Sequence, residues 1–392
     1  VAHVKGPLSG IRVLTVESFI AGPMASMWLA DAGAEVVKIE APDRGDTARS
    51  VPPIKGTGSD SQSLSFIRAN RNKRSVALDL KSEDGRETFL ALVRRADVFL
   101  ENANPAALPR LGLTYAELSK HNPSLIYCAV SGFGLPEFNA GRLPYLTAFD
   151  ITAQAMAGLL LRPEGAESGA VYPGYPLADI FAAANAQSAV YQALFNRERT
   201  GQGAYIDVSM FDGAIAMNEL ALIIHATFGH LPAPGAHALG GPFGAYTASD
   251  GQVVLGILGQ PVWIRFTQAI GRPELADDPD YATGVLRHEH RSTLTPVVNA
   301  WMSQFTTNVV LDLLSKFDIP SAPVWNVDEV VKLEYAKKRR MIVSLEDPAW
   351  GSVTVAGNPL NSSLMSDEAP APAPLLGADT DDVLREWLGG SE

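Results

Sequence analysis

PLADIFAAANAQSAVYQALFNRERTGQGAYIDVSM, residues 176–210, carries two periodicities in succession. Ile180, Ala183, Ala184, Gln187, Val190, Tyr191 and Leu194 recur at three- and four-residue steps, which predicts a helix with an alanine-lined face suited to close packing. The turn Arg197-Glu-Arg-Thr-Gly-Gln-Gly203 ends that pattern, and Tyr205-Ile-Asp-Val-Ser-Met210 reads as a strand. Asp179 stands just ahead of the periodic segment and is expected at its N-cap, where a carboxylate accepts hydrogen bonds from first-turn amides.

The same alternation runs back towards the N-terminus. Residues 11–16, 35–40, 75–80, 97–101 and 125–130 are short runs rich in Val, Ile and Leu, and helix-like segments lie around Met24–Ala32 and Glu87–Arg95. Strands alternating with helices predict an α/β fold, Rossmann-like, with a doubly wound, mostly parallel sheet covered on both faces. Ala21-Gly22-Pro23 stands where a dinucleotide fold would carry G-x-G-x-x-G, so a nicotinamide or flavin dinucleotide site is not expected.

Beyond the apolar run 214–224, a Pro/Gly-dense stretch at 231–244 marks a boundary or loop. The strand 252–258 and amphipathic segments near 262–270 and 292–315 follow. We therefore expect a large α/β domain over 1–224, a smaller α+β domain over 225–325 and a terminal segment over 326–392. That last segment has strand-like pieces at 341–345 and 352–356 and an amphipathic end at 380–388.

With 392 residues, 46% hydrophobic and 19% charged, the composition is that of a soluble globular protein with ample core. The net charge of −12 opposes nonspecific nucleic-acid binding and requires any anionic ligand to find local cations. The single cysteine, Cys128, lies in an apolar run and reads as a buried strand residue. No membrane-length apolar run or signal pattern is present, so a cytoplasmic, membrane-free enzyme is the default expectation. His288-Glu-His290 lacks a third ligand nearby and suggests no metal, and Lys337-Lys-Arg-Arg340 reads as a solvated helix end rather than a nucleic-acid site.

From Asp179 through the R-x-x-T-G-x-G turn to Asp212, the chain resembles the family III (CaiB/BaiF, formyl-CoA transferase-like) CoA-transferases. The resemblance continues in Pro7–Leu14, Ala21-Gly-Pro23, Leu29–Glu40, Asn70–Ser75, Ala96–Asn102, Ile319–Val324 and Pro374–Gly377, in that order. It implies a homodimer of interlocked subunits, with the tail returning to the large domain. It also implies transfer of CoA from an acyl-CoA to a carboxylic acid, with CoA thioesters as substrates and no tightly bound cofactor. Asp179 would be the nucleophile; ionisation, which a carboxylate nucleophile needs, is favoured at a helix start. A plain helix cap is the alternative role.

The resemblance further places Ala21, Lys38, Asn70, Lys73, Arg74, Asn102 and Arg110 at CoA, with Arg44 a further candidate, and Gly240-Gly241 in an oxyanion or lid loop. Ala103 stands where similar enzymes place a Phe that would stack on adenine. Phe149 and Asp150 are candidate supporting residues. The related 2-methylacyl-CoA racemases carry Gly-His-Asp where this chain has Ala148-Phe149-Asp150, and Phe149 cannot move a proton, so transfer is favoured over racemisation. A noncatalytic CoA-binding subunit is the remaining rival, against which the retention of Asp179 counts.

Overall fold

The computed structural model describes residues 5–138, 143, 146–160, 169–229 and 240–389. Its central sheet has six parallel strands: β1 (Arg12–Val16), β2 (Glu35–Glu40), β3 (Lys73–Ala77), β4 (Val98–Glu101), β5 (Ile126–Ser131) and β6 (Ala204–Ser209). Across the sheet they run β3-β2-β1-β4-β5-β6. Strand order therefore reverses between β1 and β4, and in such sheets ligands bind outside the carboxyl ends of the strands at that point.

Alternate strand residues feed two separate cores. Val13, Val36, Val98, Leu100, Ile126 and Cys128 pack under α1 (Ala21–Asp31) and the long helix Leu177–Thr200, whereas Leu14, Val37, Val76, Phe99, Tyr127 and Ala129 face α2 (Glu83–Val93) and α3 (Tyr115–His121). Cys128 is fully buried, and burial pushes its thiol far above the ordinary range. The strand expected over 75–80 begins instead at Lys73, because Lys73 and Arg74 pair in register with Val36 and Val37.

The helix expected after Asp179 starts earlier, at Leu177, and we label it α5, with α4 (Asp150–Met156) before it. Its buried alanines are 178, 182, 183, 186 and 193, while Ala184, expected inside, faces out. The R-x-x-T-G-x-G turn has a physical explanation. Arg197 reaches the start of β4, its Nη2 lying 2.9 Å from Asp97 Oδ1. Gly201 closes the helix in the left-handed conformation (φ 72°), and a Cβ on Gly203 would lie 2.2 Å from the carbonyl oxygen of Leu125. The turn thus fixes α5 against the sheet and lets β6 approach β5.

Edge strand β3 is covered by the tail. Ser75 N donates to Asp379 Oδ2 (2.9 Å) and Ala77 N to Thr380 Oγ1 (3.0 Å), satisfying edge amides. The helix Thr380–Leu388 then buries Val383 and Trp387 in the second core. Residues from Glu334 onward accordingly group with the first compact unit, together with the chain to Leu160 and Tyr172–Asn218.

The second compact unit is built on Glu219–Leu333. Its antiparallel sheet has Gln252–Leu258 between Gly240–Thr247 and Ser321–Pro323, and the helices Gln260–Ala269, Arg291–Met302 and Thr307–Ser315 bury Trp263, Phe266, Val298 and Leu314. The apolar run 214–224 does not form one helix. It breaks at Asn218, which caps Met210–Met217, so Glu219–Phe228 opens the second unit. Among the described residues no helix is long and apolar enough to cross a membrane.

Candidate active site

A cavity of about 390 Å³ opens at the carboxyl ends of β1 and β4. Its walls are the β1–α1 turn (Ser18–Ala21), the exit of β4 (Asn102–Pro105), the end of β5 and the starts of α4 and α5. Ser18 and Asn102 close the switch point by a reciprocal pair: Ser18 N donates to Asn102 Oδ1 and Asn102 Nδ2 to the Ser18 carbonyl, both at 2.8 Å. A Cβ on Gly22 would lie 2.9 Å from Asn102 Cγ, which explains the glycine in Ala21-Gly22-Pro23. Phe19, held at φ 66°, meets Phe149 edge to face at 5.7 Å.

Two carboxylates line the cavity, with different surroundings. Asp150, buried at the start of α4, accepts four hydrogen bonds: Oδ1 from the amides of Ala178 (2.8 Å) and Asp179 (3.2 Å), Oδ2 from Gln154 Nε2 (2.6 Å) and the Tyr172 hydroxyl (2.9 Å). Asp150 thus caps α5 from another helix. Asp179 is not the cap: it is the third residue of α5, behind Pro176. Its half-buried carboxylate has no hydrogen bond among the described residues.

That exchange of roles reverses the expected electrostatics. Burial, then the Asp150 charge, push the Asp179 carboxyl up to about 7, with Arg68 opposing. A carboxyl group with this pKa can attack only when deprotonated, so if Asp179 is the reacting group kcat/KM should fall as pH drops below about 7. Asp150→Asn keeps an acceptor for the α5 amides but removes the like charge. The pH–rate profile of that variant should show its acid limb moved to lower pH; an unmoved limb would separate Asp150 from the titration.

The model of the family III CoA-transferases matches residues 8–380. The chain belongs to the family III CoA-transferases. It is 35% identical to an acetyl-CoA:oxalate CoA-transferase of Acetobacter aceti, over 96% of this chain and 94% of that one. A succinyl-CoA:mesaconate CoA-transferase of Haloarcula hispanica is 33% identical over 97% and 96% of the two chains. A CaiB/BaiF family protein from Brucella suis superposes with a TM-score of 0.83 at 28% identity, covering 98% of this chain and all of that one.

For this CoA-transferase, several residues expected at CoA are committed to the interior. Lys38 is fully buried, its Nζ donating to the Glu17 carbonyl (2.8 Å) and lying 2.9 Å from Asp46 Oδ2. Lys73 Nζ donates to Glu17 Oε1 (2.7 Å), the Pro23 carbonyl (2.9 Å) and Asn70 Oδ1 (2.9 Å), and burial lowers it to about 8. Asn70 is buried, its Nδ2 donating to the Phe66 carbonyl, and Arg74 pairs with Glu35 and Glu386. Asn70–Arg74 is therefore a buried polar seam that ties strands to tail, not an open phosphate claw.

Ala21 and Asn102 do line the cavity. A second cavity of about 490 Å³ shares Ser18, Asn102 and Ala103 with it and exposes Arg44 at its rim. Arg110 is exposed at the end of the short helix Leu108–Leu111. Gly240 and Gly241, expected in a loop, open the strand Gly240–Thr247 of the second unit, and the Gly241 carbonyl accepts from Arg287 Nε at 2.9 Å. His288 lies in the helix Gly284–Glu289 of that unit and His290 caps it; among the described residues no three candidate ligands cluster. Sequence reading missed Tyr172, Gln154 and Arg68. Tyr172 reaches Asp150 from the segment ahead of α5, a relation with no local signature, whereas Gln154 lies one turn beyond Asp150 in α4, and Arg68 was overshadowed by the charge run beginning at Asn70.

Proposed function

We propose that the protein transfers CoA from an acyl-CoA to a carboxylic acid through Asp179. The observation that carries this reading is the contrast between a saturated Asp150 and an unbonded Asp179 in one cleft. An Asp179 oxygen attacks the thioester carbonyl carbon; the C–S bond breaks and CoA thiolate leaves, giving a mixed anhydride. The thiolate attacks Cγ of Asp179, releasing the donor acid and leaving an aspartyl thioester. An acceptor carboxylate attacks Cγ in turn, expelling thiolate. Thiolate then attacks the acceptor carbonyl of the new anhydride, forming the product thioester and restoring Asp179. Each step exchanges one activated acyl bond for another, so no separate energy source is required.

The surroundings supply orientation and charge control. Asp150 fixes the α5 start, and Ala21, the first residue of α1, lines the cavity, where its amide is a candidate donor to a developing oxyanion. The adjoining cavity, with Arg44 at its rim, is our candidate for the nucleotide end of CoA. Phe149 offers no base to a substrate α-carbon, which supports transfer over racemisation. Glu219–Phe228 has no buried residue and exposes Leu222, Ile223 and Phe228, in keeping with the homodimer implied by the family. Incubation with acyl-CoA but no acceptor, followed by digestion and mass spectrometry, should find CoA attached to the peptide holding Asp179. An unmodified peptide under conditions that support exchange would reject the mechanism.

A further inference from the structure

Phe19 lies in the left-handed region (φ 66°), where a bulky side chain is strained and persists only if its surroundings fix it. They do so here: the Phe19 amide donates to Asp46 Oδ1 (3.1 Å) and the adjoining Ser18 amide to Asn102 Oδ1 (2.8 Å). The turn so held sets the Phe19 ring edge to face against Phe149 on the cavity wall. Leu146, Phe149 and Ile151 all stand exposed on that wall, and an apolar cluster in a cleft is the usual lining of a small-molecule site. The polar groups beside it are committed to the protein, Ser18 to Asp46 and Asn102, and Tyr172 to Asp150. None of the described residues lining the cavity is Lys, Arg or His; Arg68 stands outside the lining. A charge on the far end of a substrate would therefore meet two aspartates and no cation in the wall.

We propose that Phe19 and Phe149 are specificity-determining residues, which receive an uncharged, apolar body the size of one aryl ring on the carboxylic acid exchanged at Asp179. The inference rests on the CoA-transfer reading and adds the class of acid. The reacting carboxyl meets Asp179 while the body covers the two rings, so binding strengthens with the apolar area removed from water, and an aryl ring adds an edge-to-face contact. A cavity of about 150 Å³ accepts a benzene ring. The 390 Å³ available here holds such a ring together with its carboxyl. Covering this wall also displaces water that would hydrolyse the anhydride and the aspartyl thioester. An acid with a second carboxylate must instead carry that charge out of water towards Asp150 and Asp179 without a counter-charge.

The test follows isotopically labelled phenylacetate, acetate and glutarate, each exchanging into its own CoA thioester held at saturation, so that donor and acceptor acids are the same. The unsubstituted protein should show its highest kcat/KM with phenylacetate. Phe149→Ala should lower the ratio of kcat/KM for phenylacetate to that for acetate by roughly tenfold, and Phe149→Leu, which restores apolar bulk without the ring, should recover part of it. A purely structural role for Phe149 touches both acids in proportion and leaves the ratio unmoved. An unmoved ratio in Phe149→Ala, or glutarate preferred to phenylacetate by the unsubstituted protein, would overturn the proposal while leaving CoA transfer standing. No exchange with any of the three acids would instead reject the transferase reading, and this inference with it.

Discussion

On the proposed covalent route, Asp179→Ala is expected to lower CoA exchange by roughly 10⁴-fold or more, because the route would lose its nucleophile. Asp150 cannot take over: both its oxygens are held by donors at the start of α5 and in α4. CoA binding should survive, and equilibrium binding of CoA to the variant checks that the loss is chemical. Asp179→Asn adds a thermodynamic signature. Asp179 titrates at about 7 in the folded protein against an ordinary 3.8, so between those values the folded state holds the extra proton and stability falls as pH rises. Above pH 7 the charge costs up to about 4 kcal/mol, a cost the neutral amide escapes. Denaturant titration should find the Asn variant more stable at pH 8 and equal to the parent below about pH 4. Equal stabilities at pH 8 would mean that the carboxylate is well solvated and not poised.

The second large effect lies below the cavity. Glu17 Oε1 accepts from Lys73 Nζ (2.7 Å) and Ser26 Oγ (2.7 Å) and lies 3.6 Å from Lys38 Nζ, with all three charged side chains fully buried. Glu17→Ala leaves two buried ammonium groups sharing Asp46, and should destabilise the protein by about 3–5 kcal/mol. Activity should fall as well. Asp46 Oδ1 accepts from the Ser18 hydroxyl (2.7 Å) and the Phe19 amide (3.1 Å), so the same network shapes the cavity wall. Despite its burial, the Lys38 charge and the Ser18 hydroxyl hold Asp46 down at about 2, which keeps the clamp ionised. Combining Glu17→Ala with Lys73→Met removes one orphaned charge and should recover part of the stability in denaturant titration. No recovery would show that packing, not charge, dominates this seam.

Much of the fold was legible because the inner strands of the parallel sheet are buried on both faces and stand out as apolar runs. Residues 35–40 match such a strand end to end, and 252–258 match a strand of the second unit that buries alternate residues. β3 was misplaced because Lys73 and Arg74 look like solvent-facing charges; only the buried Glu17 and the tail carboxylate Glu386 make them tolerable in a sheet. Likewise, 214–224 read only as one apolar run, which gave no sign of the break at Asn218.

The sequence, read with its family resemblance, singled out Asp179 as the carboxylate to watch, set Cys128 in the core and placed the end of α5 in the stretch Arg197–Gly203, because periodicity and burial of apolar runs are properties of neighbouring residues. Tertiary structure alone decided which aspartate caps and which stays free, since Asp150 reaches α5 from a different helix. It also turned Lys38 and Lys73 inward and left Arg68 exposed, without a partner among the described residues. A side chain's charge state and availability depend on what the fold brings within hydrogen-bonding distance, and that information is not local to the chain.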